Sequence, residues 1–202
     1  MTFSTICKGL WGGIGLVALL TLALAYPPSV QSTSYLGTPP VNASTLWGTL
    51  TTPVATTSGT TVDILNIIPN IKRVTIYFRG VSTDAAGDYL IQLGDATSVK
   101  TSGYLGSVTA TFSSSSAPTT GMGVATGTSA ASIITGYCVL SLYSTTPSIV
   151  WIGICTNSFQ NTASTVTSSS QITLVSALTR IRLTTFSGTP NFDAGAISLL
   201  VE

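Results

Sequence analysis

The sequence predicts an all-β fold: an antiparallel β-sandwich or jelly-roll-like domain, preceded by an N-terminal hydrophobic, helical segment and an extended arm. Three observations carry this. Beyond about residue 62, apolar residues fall at alternate positions in short runs, the period of a strand with one buried face. Clusters of Gly, Ser, Thr, Asn and Pro separate the runs, and no long helical periodicity appears among them. Apolar residues make up 44% of the chain, enough to offset backbone ordering, so the Ser/Thr-rich composition does not signal disorder. The chain divides into a hydrophobic segment (1–26), a Pro/Ser/Thr-rich linker or arm (27–61) and the sandwich domain (62–202).

Residues 10–26 read LWGGIGLVALLTLALAY without a charge, with Lys8 before them and Pro27-Pro28 after. A run of this length sits at the short limit for a membrane-crossing helix. Three readings stay open. It is a signal peptide cleaved after Ala23-Leu24-Ala25, a membrane anchor, or a helix buried among copies of itself, where Gly12, Gly13 and Gly15 permit close approach. Lys8-Gly9 before the apolar run is similar to a pilin-type leader, but the acidic residue expected shortly inside such a helix is missing. In the arm, Pro39-Pro40 and Pro53 prevent regular ladders. Trp47 and Leu50 are its candidate apolar anchors, and Asn42-Ala43-Ser44 matches a glycosylation sequon.

The strands follow in order. Thr61 to Ile68 alternates and ends at Pro69-Asn70. In RVTIYFR (73–79), Val74, Ile76 and Phe78 face one way and Thr75 and Tyr77 the other, with Gly80 as the stop. Tyr89 to Leu93 halts at Gly94-Asp95. Further strands are expected at 137–143, 149–155, 172–178, 180–186 and 196–201. Segments 113–132 and 157–170 read as long loops, each either a contact surface or a solvated connection.

The chemistry is sparse. Charged residues are 6% of the chain against roughly 25% in ordinary soluble proteins. Such a neutral hydroxyl surface suits a subunit covered by neighbours. The net charge of +1 gives no footprint for nucleic acid. Histidine is absent, which removes the usual general base, the Ser-His-Asp triad and His-ligated metal sites. Asp84, Asp88 and Asp95 are a candidate calcium cluster by residue type, but their spacing is not that of an EF-hand loop and no metal site is assigned to them. Arg180 and Arg182 share one strand face, read as a solvated face or a subunit salt bridge. Cys138 and Cys155 lie in separate strands. A disulfide is sterically possible if those strands pair, but we read both as small buried apolar side chains. No catalytic, cofactor-binding or metal-ligating residue is assigned, and an enzyme is not expected.

The segments KRVTIYFRGVST, LIQLGD, TSGYLGS and TRIRLTTFSGTPNFDAGAISLLVE, spread over residues 62–202, resemble a recurrent bacteriophage virion domain of the tail-fibre and head-decoration type. The shared residues include Gly80, Gly94, Asp95, Gly103, Tyr104, Phe192, Asp193 and Gly195. Ala96-Thr97 stands where a Gly-Gly often follows L-G-D. The resemblance implies a virion module and supplies no catalytic residues. Physical roles can be read beside it. Gly80 and Gly94 free the backbone at strand ends. Asp95 and Asp193 cap turns. Tyr104 buries its ring while its hydroxyl finds a backbone partner.

The expected function is therefore a structural subunit of a phage virion (capsid decoration, spike, fibre or tail), docking to itself and to other virion proteins. A homotrimer is expected by analogy with fibres and spikes. Two alternatives are kept. One is an adhesin module reading a host-surface glycan with the 113–132 and 157–170 loops. The other is a secreted or membrane-anchored cell-surface protein held by residues 10–26.

Overall fold

The computed structural model describes residues 48–111 and 115–202. The hydrophobic segment, Cys7, Lys8-Gly9, the Asn42 sequon and Trp47 lie outside the described residues. The described residues are all-β and contain no helix. The strands are β1 (Thr49–Leu50), β2 (Val54–Ala55), β3 (Thr61–Ile64), β4 (Arg73–Thr83), β5 (Tyr89–Gly94), β6 (Leu105–Ala110) and β7 (Ser115–Ser116). They continue with β8 (Met122–Ala125), β9 (Ile134–Ser144), β10 (Ile149–Phe159), β11 (Thr165–Leu174), β12 (Arg180–Thr185) and β13 (Phe192–Val201).

Two antiparallel sheets form. The larger has nine strands in the order β1-β13-β4-β9-β10-β11-β6-β7, with β2 also on β13; the smaller is β3-β12-β5-β8. One apolar core fills the space between them. The larger sheet gives it Val74, Ile76, Phe78, Leu140, Trp151 and Ile172, and the smaller gives Val62, Tyr89, Ile91, Leu93 and Leu183. Tyr89 and Phe192 meet across the sheets at 5.9 Å in a tilted aromatic pair. Polar side chains pin the short β8 against the larger sheet. Ser168 Oγ donates to the Gly123 carbonyl at 2.6 Å, and Asn157 Nδ2 to the Val124 carbonyl at 2.9 Å.

Several expectations change. Residues 49–50 and 54–55 of the expected linker or arm pair with β13 and cover its edge, with Pro53 in the gap between them. The 113–132 loop contains β7 and β8, and β8 is buried throughout. The 157–170 loop shrinks to residues 160–164, because β10 and β11 form one long hairpin. Gly80 lies inside β4 rather than at its end. Its φ of +63° marks a bulge where pairing with β9 slips between Phe78 and Val81. Gly94 answers to space: a Cβ there would lie 2.5 Å from Arg180 Cγ and 2.7 Å from the Ser98 carbonyl oxygen.

Cys138 and Cys155 are the plainest correction. They form a disulfide rather than two independent apolar side chains. They are directly opposed on β9 and β10, with Cα atoms 4.0 Å apart. The register that opposes them depends on a bulge. Val150 pairs with Ser144, but Trp151 pairs with Leu142. Had the first register continued, Cys155 would face Val139.

Candidate interaction surface

The carboxylates go mostly to structural hydrogen bonds. Asp95 caps its turn, accepting from Thr97 Oγ1 at 2.5 Å, Thr97 N at 3.0 Å and Ser98 N at 3.2 Å, and these bonds hold its pKa below the usual carboxylate range. Asp84 is lowered by Asn191, which donates through both its side chain and its backbone at 2.9 Å. Asp193 accepts from Ser82 Oγ across strands instead of capping a turn. Asp63 is lowered by the two-pronged hydrogen bond from Arg182, at 2.7 and 2.8 Å. Arg182, which with Arg180 reads from sequence as a solvated face or a subunit salt bridge, thus forms its ion pair within the chain. Asp88 and Asp95 flank β5 at opposite ends, so the three aspartates weighed as a calcium cluster are not brought together. Among the described residues, no three His, Cys, Asp or Glu gather as metal ligands.

Sheet register builds the most distinctive surface. On the larger sheet, the face turned away from the core carries a row Leu200–Thr75–Val139–Ile154–Ser169. Beside it runs Ser198–Tyr77–Tyr137–Thr156–Thr167, and on the other side Arg73–Ser141–Ile152–Gln171. Ile154 is 56% exposed, and the cross-strand pair Tyr77 and Tyr137 are 40% and 45% exposed. Shallow grooves of about 350 and 270 Å³ lie on either side of Val139. Within these rows the charged side chain is Arg73 at the margin, 3.6 Å from Glu202. The sequence predicts strands at YCVLSLY and IVWIGIC but assigns no role to their second face. The available signal was that both runs are apolar at odd and even positions alike, in an antiparallel sheet with one face on the core.

A second feature lies at the end of the sandwich where β10 turns into β11. Asn161 Nδ2 donates to the Ala131 carbonyl, and Gln160 N to the Ile133 carbonyl at 2.8 Å. The 126–133 loop and the hairpin tip thus converge over a cleft of about 320 Å³ lined by Thr111, Ser129, Ser132, Phe159, Thr162 and Ser164. This is what remains of the two long loops expected from sequence.

Compared with protein-family models, curated proteins and solved structures, the chain matches none.

Proposed function

We propose that the chain is a non-enzymatic structural subunit that self-associates through the outer face of its larger sheet, on the outside of a virion. The observation that carries this reading is the stripe of Tyr77, Tyr137, Val139, Ile152 and Ile154 on a face with little charge. Contiguous exposed apolar surface of this kind marks association sites in soluble proteins. A second copy of the same face would cover it without desolvating a charge at the centre, and Tyr is a favoured interface residue. A phage particle is the assembly implied by the resemblance over residues 62–202. Other virion proteins and the 10–26 segment are then its further contacts. The buried Cys138–Cys155 bond supports an external setting, because disulfides persist on virion and cell surfaces and are rare in reducing cytosol.

The same disulfide, taken with the uncharged run at residues 10–26, favours a second reading: a membrane-anchored cell-surface protein. Immunogold electron microscopy with antibodies to the full chain separates the two. Gold retained on washed, released particles is the expected result for a virion subunit. Gold confined to the cell envelope, with detergent needed to extract the chain, selects the second reading. A monodisperse full-length monomer at high concentration, with no label on either, overturns both.

A further inference from the structure

One end of the sandwich gathers exposed aliphatic side chains and cations. The loops that meet there are 65–72, 95–104, 145–148 and 175–179, which join β3 to β4, β5 to β6, β9 to β10 and β11 to β12. Leu65 and Ile68 stand exposed on the first of these, Ile68 at 61%, and border an open groove of about 470 Å³. Val175, on the last, is 81% exposed. Tyr143, at the foot of the β9–β10 turn, is also exposed. Among the described residues, the opposite end offers one large exposed apolar side chain, Phe186.

Side-chain charge divides along the same axis. Lys72, Arg73, Lys100, Arg180 and Arg182 lie toward the aliphatic end. Three carboxylates lie with them: Asp63 pairs with Arg182 and is also lowered by Arg180, Asp95 caps its turn near Lys100, and Glu202 sits 3.6 Å from Arg73. These pairings redistribute charge locally but leave the sum, five cations against three anions, at +2. A terminal carboxylate at Glu202 would lower it to +1 without reversing its sign. Toward the other end, Arg79 stands against Asp84, Asp88 and Asp193, a sum of −2.

The described chain also begins at the aliphatic end. Thr49 pairs with Val201, and a Cβ on Gly48 would lie 2.7 Å from Glu202 Cγ. In the sequence, the uncharged run 10–26 precedes this point by residues 27–47. A tether of that length holds the end at an effective concentration of about millimolar near any bilayer the run enters, so a weak surface contact suffices.

We propose that this end docks on an anionic lipid bilayer, with Ile68 and Val175 entering the headgroup layer and Lys72, Lys100 and Arg180 toward the lipid phosphates. Aliphatic tips among cations suit a membrane interface: apolar burial supplies attachment, and each cation near an anionic surface adds to it. The proposal rests on the reading that residues 10–26 enter a bilayer, and it adds which part of the sandwich meets that bilayer. It also bears on self-association. The long strands run from this end to the other, so docking stands them upright on the membrane. The stripe on the larger sheet then looks sideways, toward neighbouring copies.

The test reconstitutes the full chain in vesicles of phosphatidylcholine and phosphatidylglycerol containing nitroxide-labelled lipid, with a fluorescent amino acid at position 68, 175 or 187. All three positions are exposed and outside the core. Position 187 lies at the opposite end, a strand length of roughly 35 Å away for the 11 residues of β4. Quenching at 68 and 175, and not at 187, is the expected result. Val175→Glu should cut quenching at position 68 about fivefold or more while the chain stays in the vesicles. High salt should weaken quenching too. Equal quenching at 68 and 187, or none at 68 in vesicle-bound chains, overturns the docking end and leaves the reading of residues 10–26 standing. A Val175→Glu chain quenched like the parent does the same. Quenching unchanged in phosphatidylcholine alone overturns the anionic surface. Chains that do not enter vesicles at all overturn the docking end and the reading of residues 10–26 together.

Discussion

Tyr104 is a single side chain on which a strand end depends. The β5–β8 ladder reaches Ile91, paired with Met122, and goes no further. The Tyr104 hydroxyl then takes over, accepting from Leu93 N at 2.7 Å and donating to the Lys100 carbonyl at 3.1 Å. Tyr104→Phe keeps the ring and strands two backbone groups in a dry site. It should lower stability by about 1–3 kcal/mol, read from the denaturant midpoint. Burial pushes the Tyr104 phenol well above its ordinary value, and that of Tyr89 in the same direction. A raised phenol pKa means stability present in full below about pH 10 and lost as pH rises through the folded value. Asp63, Asp84 and Asp95 have lowered pKa values, so what they contribute is present above about pH 4 and is lost as pH falls through their folded values. The chain has no histidine to titrate between these limits. Denaturant midpoints should therefore be level from about pH 5 to 9 and fall on both sides. By contrast, Arg182→Ala removes a pair whose side chains are 31% and 34% exposed, and it should cost under about 1 kcal/mol.

The β9–β10 hairpin shows what an element adds beyond its residues. Its disulfide joins positions separated by 17 residues, and closing a loop of that size stabilises by about 3 kcal/mol on the chain-entropy account. The paired variant Cys138→Ala with Cys155→Ala should lose about 2–4 kcal/mol, since it also empties part of the core. Thermal or denaturant unfolding of the variant, compared with the oxidised parent, measures this. The hairpin also marks how far the sequence could be read. Its two strands are legible as apolar runs bounded by turn residues, as are β4, β5, β12 and β13. The bond between the strands is not, because it hangs on a one-residue bulge at Val150 that no local composition announces. β8 escaped for another reason. Met122–Ala125 is buried on both faces and has no alternation to display, and it sits in a stretch of Ser, Thr and Gly that reads as loop. The N-terminal half of β11, TVTSSS, was hidden likewise, since the inward Ser168 and Ser170 are hydroxyls in place of apolar residues.

At the scale of the whole molecule, the sandwich has one core and an apolar stripe left outside it. The stripe is continuous because β4, β9, β10 and β13 lie side by side in a register that brings Leu200, Val139 and Ile154 into one row and Tyr77 and Tyr137 into the next. Placing charge at its centre should abolish lateral association while leaving the fold intact. Ile154→Lys and Tyr137→Glu suit this, because both positions point away from the core and are about half exposed. Exposed substitutions of this kind usually change stability by about 0.5 kcal/mol or less. A central interface residue, in contrast, contributes about 2 kcal/mol or more to association, so each variant should dissociate more than about tenfold more readily. Sedimentation velocity of the full chain across a concentration series reads the association, and the denaturant midpoint reads the fold. The two should separate, with association lost and the midpoint held. Salt provides the cross-check. Apolar burial is not screened, so lateral oligomers of the parent chain should persist from low to high ionic strength, where a contact built on charge would fade. Variants that associate like the parent would place the contact on another face, and a midpoint falling in step with association would mean that the stripe serves the fold instead.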